Sequence, residues 1–172
     1  MVSFKFPIDD SAEGLVTQIR DAVPSPDGKR IAFTALNRLY VMDLPNGSPK
    51  RLTKNDFTEA MPTWSPDGKE IAFTTWSRTG DGHIYKVNAS GSGNAVRLTQ
   101  ESGIYSDPAW SYSSNRIVFT KGTTQTYKDA IGPRASNAQE DLAWIPSSGG
   151  KLTLIDKSKG RNTPHFTKIN DR

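Results

Sequence analysis

Hydrophobic and polar residues alternate along most of the chain in short runs separated by turn-forming residues. In Ile71-Ala72-Phe73-Thr74, for example, Ile71 and Phe73 fall on one face of an extended strand. The turns between such runs contain Pro-Asp-Gly, Asn-Gly, Ser-Gly or Gly-Gly, whose residues preset or tolerate the backbone angles of a tight reversal. Only residues 131–140 show a convincing helical period, so the pattern predicts an all-β protein.

The short strands recur as an internal repeat. Segment 23–34 returns at 63–74 with nearly the same residues, and a third copy at 109–120 keeps the frame without the Pro-Asp-Gly turn. A fourth copy begins at residue 164, so that the shared Ser or Thr recurs in steps of 40, 46 and 56 residues. One four-stranded blade of a β-propeller takes roughly 40–45 residues. The repeat therefore predicts a β-propeller of four-stranded antiparallel blades.

The length of the chain accommodates about three full blades and partial blades at both ends. We interpret 1–172 as a single incomplete propeller domain, with units at approximately 18–53, 58–99 and 104–153 and a partial unit at 162–172. Because both ends fall within a blade, we expect a segment of a longer propeller protein. The alternative is a homo-oligomer in which two chains complete one ring.

The longest step arises from a polar insertion at 121–141, between strands that the other units connect tightly. Long insertions project from one face of a propeller, and binding often resides in such loops. A mobile loop without a role accounts for the insertion equally well.

The repeated segment also resembles a known family. The pattern Pro-x-Trp-Ser-Pro-Asp-Gly-Lys-x-Ile-Ala-Phe, followed by Ile-Tyr-x-Val and Arg-Leu-Thr, resembles the WD40-like (PD40) repeat of TolB-type β-propellers. Segments 18–21 and 82–87 further resemble bacterial propellers joined to amidohydrolase domains. Similar propellers accompany tricorn-type and prolyl-oligopeptidase-type peptidases, so the fold leaves the function open. The resemblance implies a bacterial envelope setting, periplasmic or extracellular, and a protein or peptide partner.

Composition and charge exclude several classes of function. The 172 residues include no cysteine, which excludes disulfide scaffolds, cysteine zinc sites and cysteine nucleophiles. A net charge of +4, evenly spread, does not indicate a nucleic-acid partner. No apolar run approaches the roughly 18–20 residues that span a bilayer, so we expect no membrane insertion. The first residues also lack the pattern of a signal peptide.

Neither catalytic residues nor a metal or other cofactor are expected in this chain. Its two histidines, His83 and His165, are 82 residues apart in sequence, unlike the closely spaced pairs of amidohydrolase metal centres. The nearest match to a nucleophile elbow, Gly91-Ser92-Gly93, lies in a predicted turn with no helix after it. The active site of any associated hydrolase would lie outside these residues.

Candidate binding residues lie near the start of the predicted inner strands. Asp21 and Asp107 occupy equivalent positions of their units, with Arg20 and Tyr105 beside them, whereas the other two units have Met and Thr at this position. Inner strands line the central channel of a propeller, so these side chains could bind a metal ion, a peptide end or a sugar. Equally, they could keep a water-filled channel polar. Trp76 departs from the repeat and is a candidate for contact with a partner.

Other repeated residues are assigned structural roles. An Asp in a Ser-Pro-Asp-Gly turn caps its own backbone, and an aromatic residue at blade period is typical of the core between blades. The structural set comprises Pro26, Asp27, Gly28, Trp64, Pro66, Asp67, Gly68 and Trp110. The sequence thus favours a non-catalytic binding or interaction module. The alternative is a propeller that gates or orients substrate within a larger amidohydrolase or peptidase.

Overall fold

A computed structural model of the protein describes residues 18–77, 82–129 and 140–167. In this part, the chain forms three four-stranded sheets, each built from consecutive antiparallel strands. Each sheet is one blade, and the three together form part of a β-propeller. The predicted fold class, an all-β partial propeller, is confirmed, with one short helix added.

Each blade runs from its inner to its outer strand in chain order. The first consists of β1 (Ile19–Pro24), β2 (Arg30–Ala35), β3 (Arg38–Asp43) and β4 (Lys50–Arg51). The second consists of β5 (Thr58–Trp64), β6 (Glu70–Trp76), β7 (His83–Asn88) and β8 (Val96–Arg97). The third consists of β9 (Ile104–Trp110), β10 (Arg116–Gly122), β11 (Asp141–Pro146) and β12 (Thr153–Lys157), with α1 (Thr124–Asp129) between β10 and β11.

The third blade differs from the prediction at its outer strand. The sequence predicted this strand at 151–153 and the end of the unit at 153, but β12 begins at Thr153 and extends to Lys157. Gly149 and Gly150 adopt positive φ values of 84° and 120° in the segment that connects β11 to β12. A bulge in the pairing of β11 with β12 then accommodates the shifted register.

Two further differences concern the insertion and the fourth copy of the repeat. The helix α1 precedes the segment in which a helical period was expected, and 130–139 lies outside the described residues. Residues 161–167 do not form a strand, since a strand requires a paired neighbour and this segment has no such ladder within the described part. The sequence also predicts the outer strand of a preceding blade at Leu15-Val16-Thr17, and these residues lie outside the described part.

The hydrophobic core lies between neighbouring blades. One buried cluster joins residues of the first blade to Trp64, Ile71 and Phe73 of the second, and another joins the second blade to Trp110 and Phe119 of the third. Burial of such side chains is the main favourable term in packing the blades.

Both tryptophans also form hydrogen bonds across these interfaces. Trp64 Nε1 donates to the carbonyl of Val23 at 3.0 Å, and Trp110 Nε1 donates to the carbonyl of Thr63 at 3.1 Å. Because the two acceptors are equivalent residues of successive blades, the same contact sets the position of each blade against the one before it.

Candidate functional site

The inner strands of the three blades and the start of the fourth unit share an unusual backbone conformation at one position. Asp21, Met61, Asp107 and Thr163 have φ values of 52°, 51°, 52° and 49°, in the left-handed region. The pairing of each inner strand with its neighbour in the blade shifts register at this position in all three blades. A side chain other than Gly is strained in this conformation by about 1–3 kcal/mol, so the surrounding structure must hold it.

A chain of hydrogen bonds between blades holds these four residues. Asp21 Oδ2 accepts the backbone N–H of Met61 at 3.0 Å, and Met61 Sδ accepts that of Asp107 at 3.4 Å. Asp107 Oδ2 in turn accepts the N–H of Thr163 at 3.3 Å. We call Asp21, Met61, Asp107 and Thr163 the inter-blade relay. The first three side chains each accept the backbone N–H of the equivalent residue in the next unit.

The relay residues line an open cavity of about 530 Å³, here called the channel cavity. Each of the four units contributes its relay residue and the one or two residues that follow it, among them Pro62, Pro108 and Pro164. Asp21 and Asp107 are the charged residues of this wall. Each carboxylate uses Oδ2 in the relay, and Oδ1 makes no hydrogen bond to any described residue. The channel cavity is therefore lined by two carboxylates, each with one oxygen that accepts no hydrogen bond from the described residues, among mainly apolar neighbours.

A second cavity of about 350 Å³, here called the rim cavity, lies where the inner strands begin. Arg20, Trp76 and Tyr105 line it, together with Thr58, Ala60, Met61, Thr74, Thr75, Ile104 and Ser106. The structure thus divides the predicted binding residues into two groups. Asp21 and Asp107 lie in the channel cavity, the other three lie in the rim cavity, and Met61 lines both.

Tyr105 forms a fixed wall of the rim cavity. Only 4% of its surface is exposed, its hydroxyl donates to the carbonyl of Glu101 at 2.7 Å, and its ring contacts Phe119 edge-on. Burial raises the pKa of Tyr105 to about 12, so the phenol stays neutral at physiological pH. Trp76 is half-buried, and Arg20 is exposed to solvent.

The histidines lie apart and make local contacts. His83 Nδ1 lies 3.0 Å from Thr99 Oγ1 within the second blade, and His165 Nδ1 lies 3.5 Å from the carbonyl of Thr163. Among residues 18–77, 82–129 and 140–167, no group of three or more His, Asp or Glu side chains could hold a metal ion. The same residues include no helix with the length and hydropathy needed to cross a bilayer.

The Ser-Pro-Asp-Gly turns lie at the opposite end of the blades from the rim cavity. Ser25 Oγ donates to Asp27 Oδ1 at 2.6 Å, and the backbone N–H of Lys29 donates to the same oxygen at 3.1 Å. These bonds hold the pKa of Asp27 below its ordinary value, the hydroxyl having the larger effect, and the equivalent bonds act on Asp67. Pro26 and Pro66 begin these turns, and Gly28 and Gly68 supply the positive φ.

One buried residue was not singled out from the sequence. Glu59 is 1% exposed, and its Oε2 accepts the backbone N–H of Leu39 at 2.7 Å, across the first interface between blades. Within the described part, its Oε1, Thr53 Oγ1 and Asn55 Nδ2 are buried without a hydrogen-bond partner. The signal in the sequence that could have found Glu59 is its position in the repeat. Glu59 comes two residues before Met61, just as the buried Tyr105 comes two residues before Asp107.

Comparison with known proteins agrees with this geometry. A TolB-type protein from Agrobacterium tumefaciens is 27% identical, with a TM-score of 0.63 over 78% of this chain and 47% of its own. TolB from Acinetobacter baumannii is 23% identical, with a TM-score of 0.63 over 88% of this chain and 35% of its own. A prolyl endopeptidase at 14% identity shares the fold, with a TM-score of 0.53 over 87% of this chain and 24% of its own.

The chain therefore spans less than half the length of the two TolB proteins that it matches. The family model described as the TolB beta propeller domain, PD40, matches residues 20–151, which include all of the three blades except Ile19 and the strand β12. By this match, the chain belongs to the TolB β-propeller family.

Proposed function

We propose that the chain is a non-catalytic binding module that holds a protein or peptide partner in the channel cavity. On the family resemblance, we further propose that it is a segment of a larger bacterial envelope protein, in a periplasmic or extracellular setting. The observation that carries the proposal is the channel cavity itself, to which four units contribute residues from equivalent positions of the repeat.

The channel cavity has the features of a preformed recognition site. Its volume of about 530 Å³ lies within the range of about 300–1,000 Å³ that is usual for ligand pockets. The relay fixes its backbone before any ligand arrives, which lowers the ordering cost of binding. The free Oδ1 atoms of Asp21 and Asp107 can accept N–H groups of an extended peptide, whose apolar side chains would lie against the prolines.

The chemistry of the wall supports binding rather than catalysis. Asp21 and Asp107 are engaged by neighbouring backbone N–H groups, and the Thr163 hydroxyl donates to the carbonyl of Asn162 at 2.8 Å. None of these contacts pairs a nucleophile with a base, which activation of a hydroxyl requires.

The gating alternative draws on the same architecture. The strands β10 and β11, between which the insertion begins and ends, meet it at the rim end of the blades, and on this alternative the insertion controls entry of a substrate to the channel. This alternative predicts that narrowing the channel in a complete hydrolase would slow hydrolysis of long substrates more than that of short ones.

Selection of peptides on the folded chain tests the binding proposal. Peptides from a random displayed library that bind the wild-type chain are titrated against Ala22→Trp, which fills the channel cavity at an exposed position. We expect the affinity to fall by about tenfold or more. Asn94→Trp adds the same side chain to an exposed turn in the second blade and should leave affinity unchanged. Equal binding to both variants, or failure to recover any binding peptide, would refute the proposal.

Completion of a ring by two chains stays a prediction. Exposed apolar side chains occur on both end blades of the described part, among them Ile19 on the first blade and Leu154 and Ile155 on the third. Light scattering at dilute concentration checks the prediction, which requires a dimer and which a stable monomer would contradict.

A further inference from the structure

We propose that the rim cavity binds the C-terminal carboxylate of a peptide, with Arg20 holding the carboxylate and Trp76 packing against an apolar last side chain. This inference rests on the proposed binding function and assigns a ligand class to a cavity distinct from the channel cavity.

The charge of the rim cavity favours an anion. Arg20 is the one charged side chain among the described residues that line it. The guanidinium donates to Gln18 Oε1 at 3.4 Å and makes no ion pair within the described part of the chain. The nearby Lys121 is already paired with Glu101 at 2.8 Å. An unpaired guanidinium at a cavity suits a carboxylate, which it can bind through two parallel N–H bonds.

The hydroxyl groups of the cavity are largely committed to the protein. Thr74 Oγ1 donates to the carbonyl of Ala60 at 3.1 Å, and Thr75 Oγ1 donates to the carbonyl of His83 at 3.2 Å. The Tyr105 hydroxyl donates to the carbonyl of Glu101. A sugar needs several partners for its own hydroxyls, so these commitments disfavour a carbohydrate.

The remaining wall is apolar. Ala60, Met61, Ile104 and the half-buried Trp76 surround the space beside Arg20. At about 350 Å³, the cavity lies at the small end of the range for ligand pockets, which suits the last residues of a peptide. One charged end and one apolar side chain therefore match the two parts of this wall.

The position of the rim cavity connects it to the channel. Met61 lines both cavities, through its place in the inter-blade relay. A peptide whose carboxylate lies at Arg20 can thus continue along Met61 into the channel cavity. The same partner would occupy both, with its terminus at the rim.

Amide NMR titration with acetyl-Ala-Ala-Leu tests the assignment. The acetyl group removes the amino charge, and the matched carboxamide lacks only the terminal charge. The titrations use the 172-residue chain and its Arg20→Gln variant. Arg97→Gln is the matched control, because Arg97 is exposed on β8, on the outer strand of the second blade. The amide spectrum of each variant verifies its fold.

We expect the acid to shift the indole N–H resonance of Trp76. Both the carboxamide and the Arg20→Gln variant should bind about 10- to 100-fold more weakly, as loss of a charged hydrogen bond implies. The Arg97→Gln variant should bind the acid as the wild type does.

Equal binding of acid and carboxamide, or unchanged binding by Arg20→Gln, would overturn the inference. So would shifts confined to residues outside the rim cavity, or tighter binding of galacturonate, an anionic sugar titrated as the carbohydrate control, than of the peptide acid. In each of these cases, weaker binding of the library-selected peptides to the Ala22→Trp variant than to the wild type would still support the proposed function. Failure of that separate test would instead remove the proposed function.

Discussion

Replacement of Asp107 separates the two constraints that the structure places on the inter-blade relay. Its backbone has a φ of 52°, and its carboxylate accepts the N–H of Thr163 at 3.3 Å. Asp107→Asn keeps a side chain that tolerates the left-handed region and can accept the same bond. Asp107→Gly removes the bond and relieves the backbone strain, whereas Asp107→Ala removes the bond and adds strain.

The expected costs follow from these two terms. A hydrogen bond at a partly exposed site contributes about 0.5–1 kcal/mol, and Ala in the left-handed region costs about 1 kcal/mol relative to Gly. Asp107→Ala should therefore lower the free energy of unfolding by about 1–2 kcal/mol. The Asn and Gly variants should each lie within about 0.5 kcal/mol of the wild type, because Asn keeps both features and Gly exchanges one for the other.

Urea unfolding followed by circular dichroism measures these differences. The Ala variant should have the lowest midpoint, with an unchanged slope. A Gly variant as unstable as the Ala variant would show that the left-handed backbone is not the constraint. An Asn variant as unstable as the Ala variant would show that the carboxylate charge is required.

The remaining predictions concern the interfaces and turns between strands. Glu59→Leu should lower the free energy of unfolding by about 1–3 kcal/mol, because it leaves the buried N–H of Leu39 without its acceptor, and an unchanged urea midpoint would argue against this. Ser114 has a φ of 60° where the first two turns have Gly, so Ser114→Gly should raise the free energy of unfolding by about 0.5–1 kcal/mol, and a lower Tm would contradict this. The raised pKa of Tyr105, about 12, means that the unfolded chain loses the phenol proton at a lower pH than the folded chain does. The contribution of this difference to the free energy of unfolding is therefore complete below pH 10 and declines towards pH 12. The stability difference between wild type and Tyr105→Phe should change across that window, and a constant difference would rule this out.

The architecture could be predicted from the sequence because each blade repeats its own local signals. Alternating strands, Pro-Asp-Gly turns and the tryptophans at blade period are encoded within a few residues, so the three sheets follow from the pattern. The equivalence of Asp21 and Asp107 with the Met and Thr of the other units followed in the same way. In all four, the structure shows the same positive φ.

The relay and the two cavities could not be predicted because they depend on contacts between blades. Carboxylate, thioether and hydroxyl residues share one backbone position, so residue type did not reveal that Asp21, Met61 and Asp107 each accept an N–H from the next unit. Neighbours in sequence also separate in space, since Arg20 lines the rim cavity and Asp21 the channel cavity. Burial of Glu59 likewise depends on an N–H from another blade.

The central claim, that the channel cavity is a preformed binding site, is tested most directly by mapping a bound peptide onto the protein. A selected peptide is titrated into the isotope-labelled chain, and amide shifts are assigned residue by residue. The account predicts that the largest shifts fall on the relay and the residues that follow it, with the relay amides of Met61 and Asp107 protected from hydrogen exchange before the peptide is added. Shifts concentrated on the outer strands, or relay amides that exchange freely in the absence of peptide, would contradict it.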